Sequence, residues 1–192
     1  MTVLAIIPAR KNSKRLPGKN LRQFCGKPLI QWTIEQAKRI KEIDRWIVTT
    51  DYNAELLNPP FPLDMFDDVS QQYHDRPKHL CGPNVHMAQV IMGVLAAQND
   101  LPDLVVLLQP TSPTRRDSLI VKAIERAKAN THRQSAVSID RTTREPNGAV
   151  YVFPPHRLPP LDDYVPILSH YTDINFAEDF DRAEAVMKKR LA

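Results

Sequence analysis

Arg10, Lys11, Lys14, Arg15 and Lys19 crowd into a short segment just after the apolar run Val3 to Ile7, with Ser13 among them and Asn20 beside them. Arginine offers a planar fork of donors matched to phosphate oxygens, lysine a mobile point charge, and Ser13 and Asn20 neutral hydrogen bonds. The apolar run breaks at Pro8, so the pattern reads as a strand, a basic loop and then a helix opening at Pro28. In open α/β sheets ligands collect beyond the carboxyl ends of the strands, which is where this loop lies if Val3 to Ile7 is a central strand. Polyphosphate is the ligand such a loop suits. It is not a Walker A loop, because Gly18-Lys19 has Ser13 where a glycine is required and Asn20 where a serine or threonine is required. A solvated basic loop or a nucleic-acid patch is the competing reading.

Two further segments carry chemically usable side chains at the ends of predicted strands: Thr49-Thr50-Asp51 and Gln109-Pro110-Thr111-Ser112-Pro113-Thr114-Arg115-Arg116. In a doubly wound sheet these ends share an edge with the basic loop, so one ligand could touch all three. The last segment also reads as a proline-stiffened turn before a capped helix. Arg115 and Arg116 either reach an anion or simply begin that helix's surface.

The elements that must position these groups alternate short branched-apolar runs with helical periodicity, the pattern of βαβ units and a largely parallel sheet. Strands are expected at Val3 to Ile7, Trp46 to Thr49, Leu104 to Leu108, Ser135 to Ile139 and Ala149 to Phe153, with a short one around Leu63 to Phe66. Leu104 to Leu108, continuously apolar, predicts a strand buried on both faces. Helical faces are formed by Ile30, Ile34 and Ala37; by Met87, Val90, Ile91, Val94 and Leu95; by Ile120, Ala123, Ile124 and Ala127 behind a cap at Asp117 or Ser118; and by Phe180, Ala183, Met187 and Leu191. Residues Pro154 to Pro166 read as a proline-rich loop.

The composition is that of a soluble globular chain: 42% hydrophobic and 25% charged over 192 residues, a length that fits one domain, with 17 prolines against 5 glycines stiffening the loops. The formal charge of +4 is small and concentrated near the N-terminus, which favours an anionic small molecule over nucleic acid. Cys25 and Cys81 form neither a disulfide framework nor a zinc pattern. No window approaches the roughly 20 apolar residues of a membrane span, so the expected location is cytoplasmic.

Four motifs in order resemble the acylneuraminate cytidylyltransferases (CMP-sialic acid synthetases): residues 9–22, Leu108-Gln109-Pro110-Thr111-Ser112-Pro113, Asn147-Gly148-Ala149-Val150-Tyr151, and Asp173-Ile174-Asn175 with Glu178-Asp179-Phe180. The resemblance implies a Rossmann-like three-layer α/β/α fold with a mostly parallel sheet, of the nucleotide-diphospho-sugar transferase type. It also implies transfer of CMP from CTP to an acidic nine-carbon 2-keto sugar with release of pyrophosphate. The implied nucleotide-binding residues are Ala9, Arg10, Ser13, Lys14, Lys19, Asn20 and Arg76, and the acceptor residues Gln109, Thr111 and Ser112. Arg10, Lys19 and Asp173 carry the chemistry, and Asp173 with Asn175 holds magnesium (Mg2+). CTP and a small acidic sugar are then the partners, without nucleic acid or membrane. A cytidylyltransferase for ketodeoxyoctonate and a CTP-binding protein with impaired turnover are the alternatives.

The chain departs from the family in places that matter. Asn175 stands where the family's metal motif has a second aspartate, removing one formal charge from a magnesium site. The family's long excursion, which packs a dimer partner and brings basic residues to the sugar carboxylate, shrinks to Asp140-Arg141-Thr142-Thr143-Arg144-Glu145. Any homodimer therefore lacks its usual element, and Arg141 and Arg144 are left as candidates to replace the lost charge. Met87 stands where a small polar residue is expected beside the nucleotide, Arg15 replaces a small residue, and His170 matches a Ser-His pair with no catalytic role expected.

Overall fold

The computed structural model describes residues 1–52, 67–68, 72–130, 135–160, 163–169 and 173–192. The expected strand at 63–66 and His170 lie outside these residues.

The first strand, β1 (Val3–Ala9), sits in the middle of a seven-stranded sheet of order β5-β4-β1-β6-β8-β7-β9. Its neighbours are β4 (Arg45–Thr50) and β6 (Leu104–Leu107), both parallel to it. β5 (Tyr73–Asp75) extends the sheet beyond β4. On the other side β8 (Pro146–Phe153) runs antiparallel to both β6 and β7 (Ala136–Asp140), and β9 (Val165–Ser169) closes that edge parallel to β7. The sheet is mostly parallel, as expected, with β8 the reversed strand.

β1 extends past Pro8, where a break was expected. Its pairing with β4 continues through Pro8 and Ala9, while on the other side Leu108 N–H donates to Ile6 O at 3.0 Å. Proline has no N–H to continue the ladder. β1 and β6 therefore part at this point, and the site described below opens between them.

Helix α1 (Leu29–Arg39) and α3 (Asp117–Ala129) cover one face of the sheet and α2 (Met87–Ala96) the other. Alternate residues of β1 serve the two layers: Val3, Ala5, Ile7 and Ala9 join the core under α1 and α3, and Leu4 and Ile6 the core under α2. Val3, Leu4, Ile6 and Ile7, wholly removed from water, contribute about 1.5–3 kcal/mol each, so β1 anchors both layers and the loop beyond it.

A third cluster joins α4 (Ala177–Leu191), through Phe180, Ala183 and Met187, to Leu16, Leu29 and Phe24. Phe24 belongs to a small hairpin of β2 (Gln23–Phe24) and β3 (Lys27–Pro28). Its turn residues Cys25 and Gly26 both have positive φ, 49° and 87°, the geometry that suits the twist of a two-residue hairpin. Leu16 in this cluster ties the basic loop to α4.

β5 and β9 escape the sequence pattern. Both are edge strands, short and half-covered. Pro166 sits within β9, exposed and paired with Val137, a tolerable place for proline because no further strand needs its donor.

Candidate active site

The residues following β1 turn back over the end of the sheet. Thr50 Oγ1 donates to Ala9 O, and Asp51 Oδ1 accepts the Lys11 N–H at 2.5 Å. Asn20 is buried and its Nδ2 donates to Arg10 O at 3.0 Å. The loop is thus held at its base by β4 and at its far end by its own asparagine. Gly18, with φ 67°, turns the chain into a one-turn 3-10 helix, Lys19–Leu21.

Between this loop, the segment after β5 and the Gln109 loop lies a cleft of about 280 Å³. Arg10, Ser13, Lys19, Asn20 and Arg76 line it, with Gln109 and Thr111 on the opposite side. Arg10 Nη1 donates to Gly82 O at 3.4 Å, a weak contact that leaves most of its donor fork free. Arg76 is buried, donating through Nη2 to Thr49 O (2.8 Å) and Nε to Thr49 Oγ1 (3.4 Å). Burial lowers its pKa and the Arg10 charge adds to this, while the Cys81 thiol and Asp51 oppose it; an arginine stays charged through such shifts.

Lys19 Nζ donates to Ile174 O at 2.7 Å, and Ile174 N–H donates to Thr111 O at 2.9 Å. The basic loop, the Gln109 loop and the segment before α4 are therefore tied together. Partial burial lowers the Lys19 pKa below the ordinary lysine value; Asp173 and Asp179 act against this, and Arg10 and Arg15 with it.

Gln109 borders two more cavities. One, about 320 Å³, is walled by His86, Met87, Val137, Tyr151, Pro159 and Tyr164. The other, about 450 Å³, is an open polar depression that includes Asp140, Asn147, Tyr151 and Asp173. Met87 belongs to the walls of both the basic cleft and the apolar cavity, so it stands where the two meet.

Several expected site residues are placed elsewhere. Ala9 is fully buried in β1 with its carbonyl already bonded to Thr50, and does not reach the cleft. Ser112 is fully buried, its hydroxyl without a partner among the described residues, because the turn that carries it points it beneath the loop. Lys14 is exposed and away from the cleft wall. Thr49 and Thr50 brace Arg76 and Ala9, so the β4 end supports the site instead of facing a ligand.

Arg115 is buried under the Gln109 loop, donating to Gln36 Oε1 (3.0 Å through Nη2), Gln109 O (3.2 Å) and Ala149 O (2.7 Å), and cannot reach an acceptor. Residues 140–145 form a tight turn in which Asp140 Oδ1 accepts from the N–H groups of Thr142 (2.7 Å) and Thr143 (3.0 Å). Arg141 lies instead beside Arg116, Lys122 and Arg190, and neither Arg141 nor Arg144 lines the three cavities around Gln109. The lost basic charge is not replaced by this turn.

The cleft wall also includes Leu80, Gly82, Pro83 and Val85, which the sequence left unmarked. They contribute apolar surface and backbone, and neither leaves a pattern; Arg76-Pro77 was the nearest signal.

For a divalent cation the fit is one-sided. Asp173 is exposed, with Oδ2 accepting from Asn175 Nδ2 at 2.8 Å and Oδ1 without a hydrogen-bond partner among the described residues. The Asn175 oxygen accepts from Arg15 Nη1 at 2.9 Å, so it already faces a cation. Asp173 suits magnesium, which keeps several waters and needs few protein oxygens; Asn175 does not.

The family model for cytidylyltransferases matches residues 4–158. The N-acylneuraminate cytidylyltransferase of Escherichia coli O18:K1:H7 is 31% identical over 165 residues, which are 84% of this chain and 35% of that protein. The CMP-N,N'-diacetyllegionaminic acid synthase of Legionella pneumophila is 34% identical over 155 residues, 77% of this chain and 61% of that protein. The chain thus spans between about a third and three-fifths of these relatives. In fold it is similar to a CMP:2-keto-3-deoxy-manno-octonic acid synthetase solved with CTP, at TM-score 0.73 and 14% identity, covering 99% of this chain and all of that one.

Proposed function

The chain belongs to the cytidylyltransferase family, and on that premise we propose that it transfers CMP from CTP to an acidic 2-keto sugar of the sialic acid type. The observation that carries this reading is the convergence of Arg10, Ser13, Lys19, Asn20 and Arg76 in one cleft whose far wall, at Gln109, opens towards Asp173.

In the proposed reaction the anomeric hydroxyl oxygen of the sugar forms a bond to the α-phosphorus of CTP. The bond from that phosphorus to the bridging oxygen breaks, pyrophosphate leaves with the electron pair, and the hydroxyl proton passes to solvent. Arg10 and Lys19 neutralise the phosphate oxygens, where charge spreads in the transition state. Asn20 and Gln109 position the two substrates, Gln109 from the wall that cleft and cavity share. Magnesium, held by Asp173, would supply further charge neutralisation at the phosphates.

The acceptor side supports a sugar bearing apolar substituents. Tyr151, Tyr164, Pro159, Val137 and Met87 make a largely apolar wall, and no lysine or arginine lines it among the described residues. Methyl and acyl groups gain by burial there, whereas a bare polyhydroxylated acid such as ketodeoxyoctonate gains little. Among the described residues no helix is long and apolar enough to cross a membrane.

The test is incubation with CTP, magnesium and a panel of acidic 2-keto sugars, followed by phosphorus NMR. Pyrophosphate and a new phosphodiester signal with an N-acylated nine-carbon sugar are expected. CTP binding without product across the whole panel would instead favour a nucleotide-binding protein with impaired turnover, the reading that Asn175 in place of an aspartate raises.

A further inference from the structure

We propose that Asn175 is a positioning residue for Arg15 and not a magnesium ligand; the inference rests on reading the basic cleft as a polyphosphate site. Arg15 Nη1 donates to Asn175 Oδ1 at 2.9 Å and Asn175 Nδ2 donates to Asp173 Oδ2 at 2.8 Å. A guanidinium only donates and an ionised carboxylate only accepts. The amide therefore has one workable orientation, oxygen towards Arg15 and nitrogen towards Asp173. Turned over, it would lose both bonds.

The surroundings hold this bridge still. Asp179 Oδ2 accepts from the N–H groups of Asn175 (3.1 Å) and Phe176 (3.0 Å), anchoring the backbone at the start of α4. The Arg15 guanidinium lies over the Phe176 ring, 5.6 Å from its centroid, where cation and ring attract. An exposed arginine is ordinarily free to sample many rotamers, and ordering it costs up to about 2 kcal/mol. Here two contacts have already ordered it within the basic loop.

An aspartate at position 175 could accept from Arg15 but could not donate to Asp173, and the two carboxylates would be left to recruit a cation. The asparagine removes that demand and holds a guanidinium in the same place. Arg15 is exposed and does not itself line the cleft, but its charge acts on the Lys19 ammonium that does, so the chain itself fixes a cation beside the lysine that faces the phosphates.

The measurement is calorimetric titration of the whole protein with tripolyphosphate in excess EDTA, for wild type, Arg15→Ala, Asn175→Ala and the double variant, with parallel titrations by CTP. Both single variants should bind tripolyphosphate about tenfold more weakly, and the double variant no more weakly than either, since the two residues act as one unit. All should melt with the wild type, which would exclude a folding defect. Unchanged binding by Asn175→Ala in EDTA, or additive losses, overturns the inference, because a metal ligand has no role without metal. Tripolyphosphate binding with the expected dependence but no response to CTP overturns the nucleotide reading and leaves the Arg15 assignment standing. Wild-type protein that binds neither overturns both.

Discussion

Lys19 Nζ lies 2.7 Å from the carbonyl oxygen of Ile174, so the ammonium at the end of the basic loop is bonded to the residue beside Asp173. Two segments more than 150 residues apart in sequence are joined at the point where phosphate and metal chemistry would meet. A lysine in this position does two things: it places a charge at the cleft and fixes the spacing between the loop and the carboxylate.

Lys19→Met should weaken CTP binding by about 10- to 100-fold, the range for losing a charge-assisted contact. In the wild type the lowered pKa makes the ammonium lose its proton before an ordinary lysine would. CTP affinity should therefore fall as pH rises through that lowered value, and Lys19→Arg should shift the fall to higher pH. Stability has the opposite sign. Between the folded pKa and the unfolded one the unfolded chain binds more protons, so the apo protein gains stability as pH rises across that window. Calorimetric titrations and urea melts between neutral pH and about pH 10 check both.

Asp173→Asn should reduce turnover by about 10²–10³-fold, as for other groups that stabilise developing charge, while CTP affinity without metal changes by less than about threefold. Pyrophosphate release and equilibrium titration in EDTA separate the two effects. Loss of metal-free CTP binding would instead make Asp173 a structural support for Lys19.

Arg115→Ala should destabilise the fold by more than about 3 kcal/mol, because it strips donors from Gln36 and from the carbonyls of Gln109 and Ala149 in a buried site. Arg116→Ala, next to it but exposed, should stay within about 0.5 kcal/mol of wild type. Urea denaturation of the pair distinguishes a buried brace from a surface charge.

Gly93→Ala sets two effects against each other. Alanine favours the interior of α2 by about 1 kcal/mol, but its Cβ would lie 2.8 Å from Leu80 Cδ1. That methyl is the end of a flexible side chain, so stability should remain within about 1 kcal/mol of wild type. Leu80 is part of the cleft wall, and its rotation should appear as a CTP affinity lowered by about threefold.

The alternation of branched-apolar runs and helical stripes was enough to identify the α/β class, the central strands and helices α1 to α4, because burial on both faces demands continuous apolar sequence in a strand and an apolar stripe in a helix. The basic loop was legible too, since a dense set of cations needs no partner to be noticed. Arg10, Ser13, Lys19, Asn20 and Arg76 all line one cleft. β5 and β9 left no such mark, being short edges with one neighbour each, and β9 even admits Pro166.

By itself, then, the sequence determined the layers, the dense basic character of the loop and the family. The tertiary structure decided which polar residues face the cleft. Arg115 and Arg116 are neighbours of one type, yet one is buried and spent on carbonyls while the other is in water. Ser112 and Thr111 are likewise adjacent, and only Thr111 lines the site. Asn175 presents its oxygen to Arg15 because that guanidinium, 160 residues away in the chain, arrives beside it in the fold. A side chain's chemistry is set by its type, but its use depends on which hydrogen-bonding partners reach it first, and those partners come from distant parts of the chain.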